Sequence, residues 1–403
     1  MSSPDPFRRS ARIAEVELSE ILQISEAAAA MKRAGRDVIS LGTGEPDFPT
    51  PPHVVAAAHE AALRGETTYT ATAGTPALRA AIAEACARDN GYRPEPAEVI
   101  VSAGAKQVIF NAFFATLDAG DEVILAAPYW TSYPDMVGVC GGTPVIVAAG
   151  AEDGFKLTPA ALAAAITGRT RWVLLNSPGN PSGAVYSPAE LQALAEELRN
   201  APHVGIVADE IYQHICYVPF ASFRAVAPDL ADRTLIVNGV SKSHAMTGWR
   251  IGWGIGPRRL IEAMVAVQGQ VTSGASSVSQ AAALAAVSGD QQLLAERNDD
   301  FRERRDMVQA ALNATGLIRC GSADGAFYLF PDCTAAFGKT APDGTRIEKD
   351  ADFTAALLQA EGVALVPGRA FGLPGHFRLS YAYSRASLTE ACARIARFCT
   401  SLA

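Results

Sequence analysis

The chain of 403 residues is 49% hydrophobic and 19% charged, which supplies a large core and excludes intrinsic disorder. At roughly 150 residues per unit, the length fits two to three domains or one large α/β unit with a satellite. A net charge of -8 argues against nucleic acid, whose affinity draws on clustered Lys and Arg, yet leaves room for one bound phosphate.

The N-terminal stretch carries Pro4, Asp5, Arg8, Arg9, Glu15, Glu17 and Glu20, without the apolar run of a secretory leader. No apolar run approaches the roughly 18 residues that span a bilayer, so no membrane association is expected. Cys86, Cys140, Cys216, Cys320, Cys333, Cys392 and Cys399 are scattered, odd in number and form no C-x-x-C pair. They signal neither a disulfide framework nor a zinc site and fit a reducing, cytoplasmic setting. The histidines 53, 59, 203, 214, 244 and 376 are isolated and read as structural or surface groups.

In chain order, Gly65 reads as a helix stop after Leu63-Arg64. From about residue 98, short apolar runs alternate with Ala/Leu-rich helical stretches, the pattern of a parallel sheet covered on both faces. The strand candidates are 99–101, 123–125, 172–175, 205–208, 235–237 and 251–255. Thr158-Pro159 opens one helix, and Ser187-Pro188 with Glu190 forms a capping box that opens another. A charged helix is predicted from about 291 to 312, stopping near Gly316. Beyond it the pattern changes, which places a domain change near residue 295. Residues before about 45 are expected to pack with that C-terminal unit.

In an open α/β sheet, ligands bind beyond the carboxyl ends of the strands. Three polar motifs fall there: N-S-P-G-N-P-S-G at 176–183, Asp209-Glu210-Ile211-Tyr212, and N-G-V-S-K-S-H-A-M-T-G-W-R at 238–250. Singly, each has an ordinary reading: a self-capped turn, an acid paired with a nearby Arg, and a solvated surface lysine. Together they put a carboxylate, a phenol, amides and Lys242 at one end of one sheet. That set fits pyridoxal phosphate, which needs a lysine amine for a Schiff base, an acid against its ring nitrogen, and hydrogen bonds to its ring oxygen and phosphate.

The chain resembles the fold-type I, class I aminotransferases, and within them the bacterial aspartate/prephenate aminotransferase-like subgroup. The motifs that carry the likeness are L-G-T-G-E-P-D-F from Leu41, Y-T-A-T-A-G-T-P-A-L-R from Tyr69, S-A-G-A-K-Q from Ser102, P-Y-W-T-S-Y-P from Pro128, the three polar motifs, and F-R-L-S-Y-A from Phe377. The resemblance implies a mostly parallel, seven-stranded type of sheet sandwiched by helices in a large pyridoxal-phosphate-binding domain, with a smaller α+β domain. The corresponding division is an N-terminal segment 1–45 packing with the small domain, the large domain at 46–295 and the small domain at 296–403.

Carried over residue by residue, the resemblance makes Lys242 the Schiff-base lysine and proton carrier. Asp209 would face the pyridine nitrogen, Tyr212 and Asn180 the ring oxygen, and Trp130 the ring face. Gly104, Ala105 and Lys106 would receive the phosphate with Arg250 and Ser241, and Tyr69 would reach it from the partner subunit of a homodimer. Arg378 would grip the substrate α-carboxylate, with Trp130 and Asn180 also on the substrate side and Gly42 leaving it room. Where some family members have Ser three positions before the lysine, this chain has Gly239. Where aspartate-active members carry a Ser/Thr-containing segment, it reads Ser19-Glu20-Ile21-Leu22. The implied reaction is ping-pong transfer of an amino group from an L-amino acid, aspartate-like or broader, to a 2-oxo acid such as 2-oxoglutarate. Other pyridoxal phosphate chemistry (β-lyase, decarboxylase or oxidase) and an aromatic or aliphatic preference remain alternatives. G-W-G-I-G at 252–256 raises a nicotinamide dehydrogenase, but the fingerprint is incomplete.

Overall fold

The computed structural model describes residues 7–14, 16 and 19–403. Pro4, Asp5, Glu15 and Glu17 lie outside the described residues. The strands, in chain order, are β1 (Ile39–Ser40), β2 (Val99–Ser102), β3 (Glu122–Ala127), β4 (Thr143–Ala148), β5 (Thr170–Asn176), β6 (Gly205–Asp209), β7 (Thr234–Gly239), β8 (Gly252–Ile255), β9 (Tyr328–Leu329), β10 (Val363–Ala364), β11 (Val366–Pro367) and β12 (Phe377–Ser380).

The large sheet has seven strands in the order β2-β8-β7-β6-β5-β3-β4. Its neighbours pair in parallel except at β8, which runs antiparallel to both β2 and β7. Successive residues point to opposite faces of a strand. Val173, Leu175, Ile206, Ala208 and Ile236 therefore enter one core cluster, while Trp172, Leu174, Val207, Leu235 and Val237 enter another across the sheet. Burial on both faces explains why these strands show continuous apolar runs rather than alternation.

Strand β4 is absent from the strands predicted above. It forms the outer edge beside β3 and is only partly buried. Pro144 is its second residue, shortly after Gly141-Gly142, and an edge strand tolerates a proline that a central strand does not. The helix signals have structural counterparts. Ser187 accepts from the Glu190 amide within a full capping box, and Thr158 accepts from the Ala161 amide. The charged helix is Gln292–Asn313, and Gly65 and Gly316 follow their helices with positive φ.

The C-terminal region carries the antiparallel sheet β11-β12-β9. Strand β1 pairs with β10, matching Ile39 to Val363 and Ser40 to Ala364. Ala28 and Val38 share a small core with Leu358 and Ala364. No helix of the described residues is long and apolar enough to cross a membrane. The cysteines are unpaired, and no His/Cys/Asp/Glu group among the described residues could hold a metal.

Candidate active site

All six strands that share one direction carry their C-terminal ends to one edge of the large sheet, and a cavity of about 650 Å³ opens there. Its size is that of a small-molecule site. Asp209 closes β6, Asn176 closes β5, and Lys242 follows β7 by a short loop. Because β8 is reversed, Arg250 enters the same edge just before that strand begins. Trp130 follows β3, and the helix Ala105–Thr116 starts just after β2 with its N-terminus at the cavity.

Lys242 is half-buried, and its Nζ donates to the Gly44 carbonyl over 2.7 Å. Burial, with Arg378 and Arg250 nearby, pushes its amine down to about 8 against the opposing pull of Glu45 and Asp209. Asp209 is 3% exposed. Its Oδ2 accepts from the Tyr133 hydroxyl at 2.7 Å and its Oδ1 from the Ile211 amide at 3.2 Å. Burial pushes the carboxyl up to about 6, while Tyr133, the Ile211 amide and Lys242 work against that rise. The Tyr212 hydroxyl meets that of Tyr328 at 2.9 Å, and burial holds Tyr212 well above its ordinary value, so it stays a neutral donor.

Arg378 is 1% exposed, lying at 4.6 Å from the Tyr328 ring and 4.9 Å from the Phe371 ring. It donates to Asn180 Oδ1 at 2.9 Å and to the Gly42 carbonyl at 2.5 Å, and its Nε has no partner among the described residues. The Asn180 amide is itself fixed by Asn176 Oδ1 at 2.8 Å. Gly104 caps the helix Ala105–Thr116 without a side chain, with φ of 91°, and a Cβ there would stand 2.5 Å from an Arg250 nitrogen. Arg250 donates to the Thr247 and Ala103 carbonyls at 2.8 and 3.3 Å. The Lys106 ammonium lies 4.8 Å from the centre of the Trp130 ring, and burial with Arg250 nearby lowers its amine.

The structure thus brings Ala105, Lys106, Trp130, Asn180, Asp209, Tyr212, Ser241, Lys242, Arg250 and Arg378 to one cavity; Gly104 does not line it but caps the helix whose first two residues do. Gly42 and Tyr69 do not line it. A Cβ on Gly42 would press on Val366 at 3.2 Å, and its carbonyl serves Arg378. Gly44 faces the site instead: a Cβ there would stand 2.7 Å from the Tyr328 hydroxyl. Tyr69 is 94% exposed and lines a groove with Thr70, Ser277 and Gln280. Gly239 packs where a Cβ would stand 2.9 Å from the Ile251 carbonyl, so a serine has no space there. Gly254 of the G-W-G-I-G run would meet Val108 at 2.7 Å, so that glycine admits the helix Ala105–Thr116 against β8.

Tyr133, Gly44 and Tyr328 are site residues that the sequence reading passed over. Tyr133 and Gly44 sit inside motifs already quoted, but nothing local shows that Tyr133 reaches Asp209. Tyr328 comes from a two-residue strand in a different sheet.

A cofactor fits the charges left over. Among the described residues, Asp209 has no ion pair, and Arg378 and Arg250 have no acid partner. Asp209 and Arg378 are buried while Arg250 is exposed, and a buried charge left so is costly unless a ligand completes it. A cationic ring nitrogen at Asp209, a phosphate at the helix N-terminus beside Arg250 and a carboxylate at Arg378 would do so. A doubly wound sheet with these unmatched charges gathered around one lysine defines a pyridoxal phosphate enzyme.

The chain belongs to the aminotransferase class I and II family, whose model matches residues 36–395. It is 54% identical over 398 residues to an aspartate aminotransferase of Rhizobium meliloti (strain 1021), covering 98% of this chain and 97% of that one. An aspartate/prephenate aminotransferase of Cereibacter sphaeroides is 50% identical, covering 97% of this chain and 98% of its own. The crystal structure of the R. meliloti aspartate aminotransferase superposes with a TM-score of 0.96 at 53% identity, over 98% of this chain and 100% of that one. A Thermus thermophilus aspartate aminotransferase solved with maleate gives 0.90 at 40% identity, over 97% and 99%. The protein is a transaminase that moves amino groups between amino acids and 2-oxo acids, with pyridoxal 5'-phosphate as its cofactor.

Proposed function

We propose that the protein transfers the amino group of an L-amino acid, aspartate-like or broader, to a 2-oxo acid such as 2-oxoglutarate, with Lys242 as the cofactor-bearing lysine. The observation that carries this reading is Arg378, a buried guanidinium beside the lysine that, among the described residues, has an unpartnered Nε and no acid to neutralise it. The relatives at 50–54% identity that act on aspartate or aspartate/prephenate support the substrate class.

When bound, the cofactor supplies a carbonyl that condenses with the amine and a ring that accepts the electron pair left on substrate Cα. Asp209 would hold a proton on the ring nitrogen, Tyr212 and Asn180 would hold the ring oxygen, and the first turn of the helix Ala105–Thr116 with Arg250 and Ser241 would hold the phosphate. Trp130 would cover one ring face. Arg378 fixes the α-carboxylate and thereby aims the Cα–H bond, which favours proton loss over decarboxylation. The Lys242 amine, already near neutral pH in its burial, takes the proton from substrate Cα. The same site then serves the 2-oxo acid in reverse, so ping-pong kinetics follow.

The assembly that completes the site is a homodimer in which Tyr69 of one subunit reaches the phosphate in the other. Its almost full exposure on one chain is what supports this reading. The protein works in the cytoplasm. Its organisation is a large domain at 46–295 and a small one at 296–403 that the 1–45 segment joins, supported by the β1–β10 pairing.

The test is a panel of amino donors with 2-oxoglutarate, pyruvate and oxaloacetate as acceptors, run on the purified holoenzyme. Stoichiometric consumption of 2-oxo acid with aspartate and glutamate among the best donors is expected. Absence of any donor-dependent conversion of the cofactor to its pyridoxamine form would sink the reading.

A further inference from the structure

Residues 44–50 lie as a strap between the lysine loop and the helix Gln292–Asn313. At one end the Gly44 carbonyl accepts from Lys242 Nζ at 2.7 Å. At the other, the Thr50 hydroxyl donates to the Ala245 carbonyl at 2.8 Å. Arg297 of the long helix spans both segments: one nitrogen donates to the Ser243 carbonyl at 3.2 Å and another to the Pro49 carbonyl at 2.8 Å. Its guanidinium also lies 4.9 Å from the centre of the Phe48 ring, which stands edge-on to Phe301 at 5.2 Å. Arg297 makes no ion pair among the described residues, so its donors are committed to main-chain carbonyls.

We propose that Arg297 is a positioning residue for the Lys242 amine, its guanidinium fork locking the carbonyl that follows Lys242 to the strap that receives the Lys242 Nζ. A planar fork can hold two carbonyls in a fixed relation, whereas an ammonium acts as a single point. With the fork in place, the loop and the strap form a closed frame: Lys242 to Gly44 on one side, Ser243 through Arg297 to Pro49 on the other. Without it, the Ser243 and Pro49 carbonyls lose their donor and the frame is held at Thr50 and Gly44 alone. A displacement of Nζ by a fraction of an ångström matters because the proton transfer it performs is steeply geometric. Arg297 itself does not line the cavity.

The inference rests on Lys242 being the cofactor lysine. Arg297→Met, which keeps an apolar stem and no donor, and Arg297→Lys are compared with the parent as holoenzymes. Arg297→Met is expected to lower kcat roughly tenfold while KM for both substrates stays within about twofold, and Arg297→Lys to recover part of the loss. In the apoenzyme, the amides of His244, Ala245 and Met246, which bond back to Val240, Lys242 and Ser241, are expected to exchange faster in Arg297→Met while those of β3 do not. An unchanged kcat, or kcat and KM moving together without recovery by lysine, overturns the proposal. Should Arg297→Met not fold, Arg297→Lys decides alone: parental kcat with parental exchange in the loop overturns it. Failure of the underlying reading looks different, since Lys242→Ala would then keep its turnover.

Discussion

Tyr133 donates to Asp209 over 2.7 Å from a helix that follows β3, two strands away from the carboxylate it serves. Both groups are buried, so this hydrogen bond opposes the burial that lifts Asp209 to about 6. Removing the donor in Tyr133→Phe should raise the carboxyl further. A hydrogen bond to a charged group is worth about 1.5–3 kcal/mol, so kcat/KM should fall roughly ten- to a hundredfold. The acid limb of the pH profile should move to higher pH, and a limb that stays in place counts against the assignment of Asp209.

Lys242→Ala should abolish transamination, together with any visible absorbance that survives purification. A second consequence is thermodynamic. The folded-state amine is depressed to about 8 from an ordinary 10.5, so between those values the unfolded chain binds a proton that the folded chain does not. Stability of the parent apoenzyme therefore gains from this group as pH rises through that window, and the gain is lost as pH falls through about 8. Relative to the parent, Lys242→Met apoenzyme should be most favoured near pH 7 and lose that advantage by about pH 10. Denaturant titrations of both apoenzymes across that range measure it.

Asp209 gives the opposite sign in the acid range. Its folded value of about 6 lies above the ordinary 3.8, so its contribution is full below about pH 4 and is lost as pH rises through about 6. The Asp209→Asn apoenzyme should gain stability relative to the parent across that interval, by up to about 3 kcal/mol. Bound cofactor, with a cationic nitrogen beside the carboxylate, should shrink the difference. An Asn variant whose stability relative to the parent does not vary with pH would contradict this.

Arg378→Lys keeps the charge and loses the fork. A lysine gathers its three donors on one nitrogen and lacks the planar fork that reaches Asn180 Oδ1, the Gly42 carbonyl and an incoming carboxylate at once. KM for the amino donor should rise roughly ten- to a hundredfold, with a smaller loss in kcat. Steady-state kinetics with aspartate and a 2-oxo acid separate the two.

Gly104→Ala tests the phosphate cradle. The backbone there has φ of 91°, where a side chain is strained, and the new methyl would stand 2.5 Å from an Arg250 nitrogen. Displacing Arg250 should weaken cofactor affinity by about tenfold or more, read from reconstitution of the apoenzyme with pyridoxal phosphate. Tyr69→Ala should weaken it as well. Mixing Tyr69→Ala with Lys242→Ala subunits should restore activity, because one site of each hybrid dimer then has both groups intact.

The sequence by itself determined the local chemistry and the class of fold. Runs such as 172–175 and 205–208 are buried on both faces and therefore read as strands of a covered parallel sheet. The polar motifs that follow them mark its carboxyl edge, which is how Asn180, Asp209, Tyr212 and Lys242 were legible as one group. Helix starts at Thr158 and Ser187 were legible because a cap is a contact within three residues. The edge strand β4 was not, since Pro144 and partial exposure remove the signal on which the others depend. Only the tertiary structure decided that Tyr133 completes Asp209, that Gly44 rather than Gly42 borders the cavity, that Gly239 has no space for a serine, and that Arg297 spans the strap and the lysine loop. Each of these is a meeting of distant segments, and such meetings are set by strand order and helix packing, which no local pattern of residues encodes.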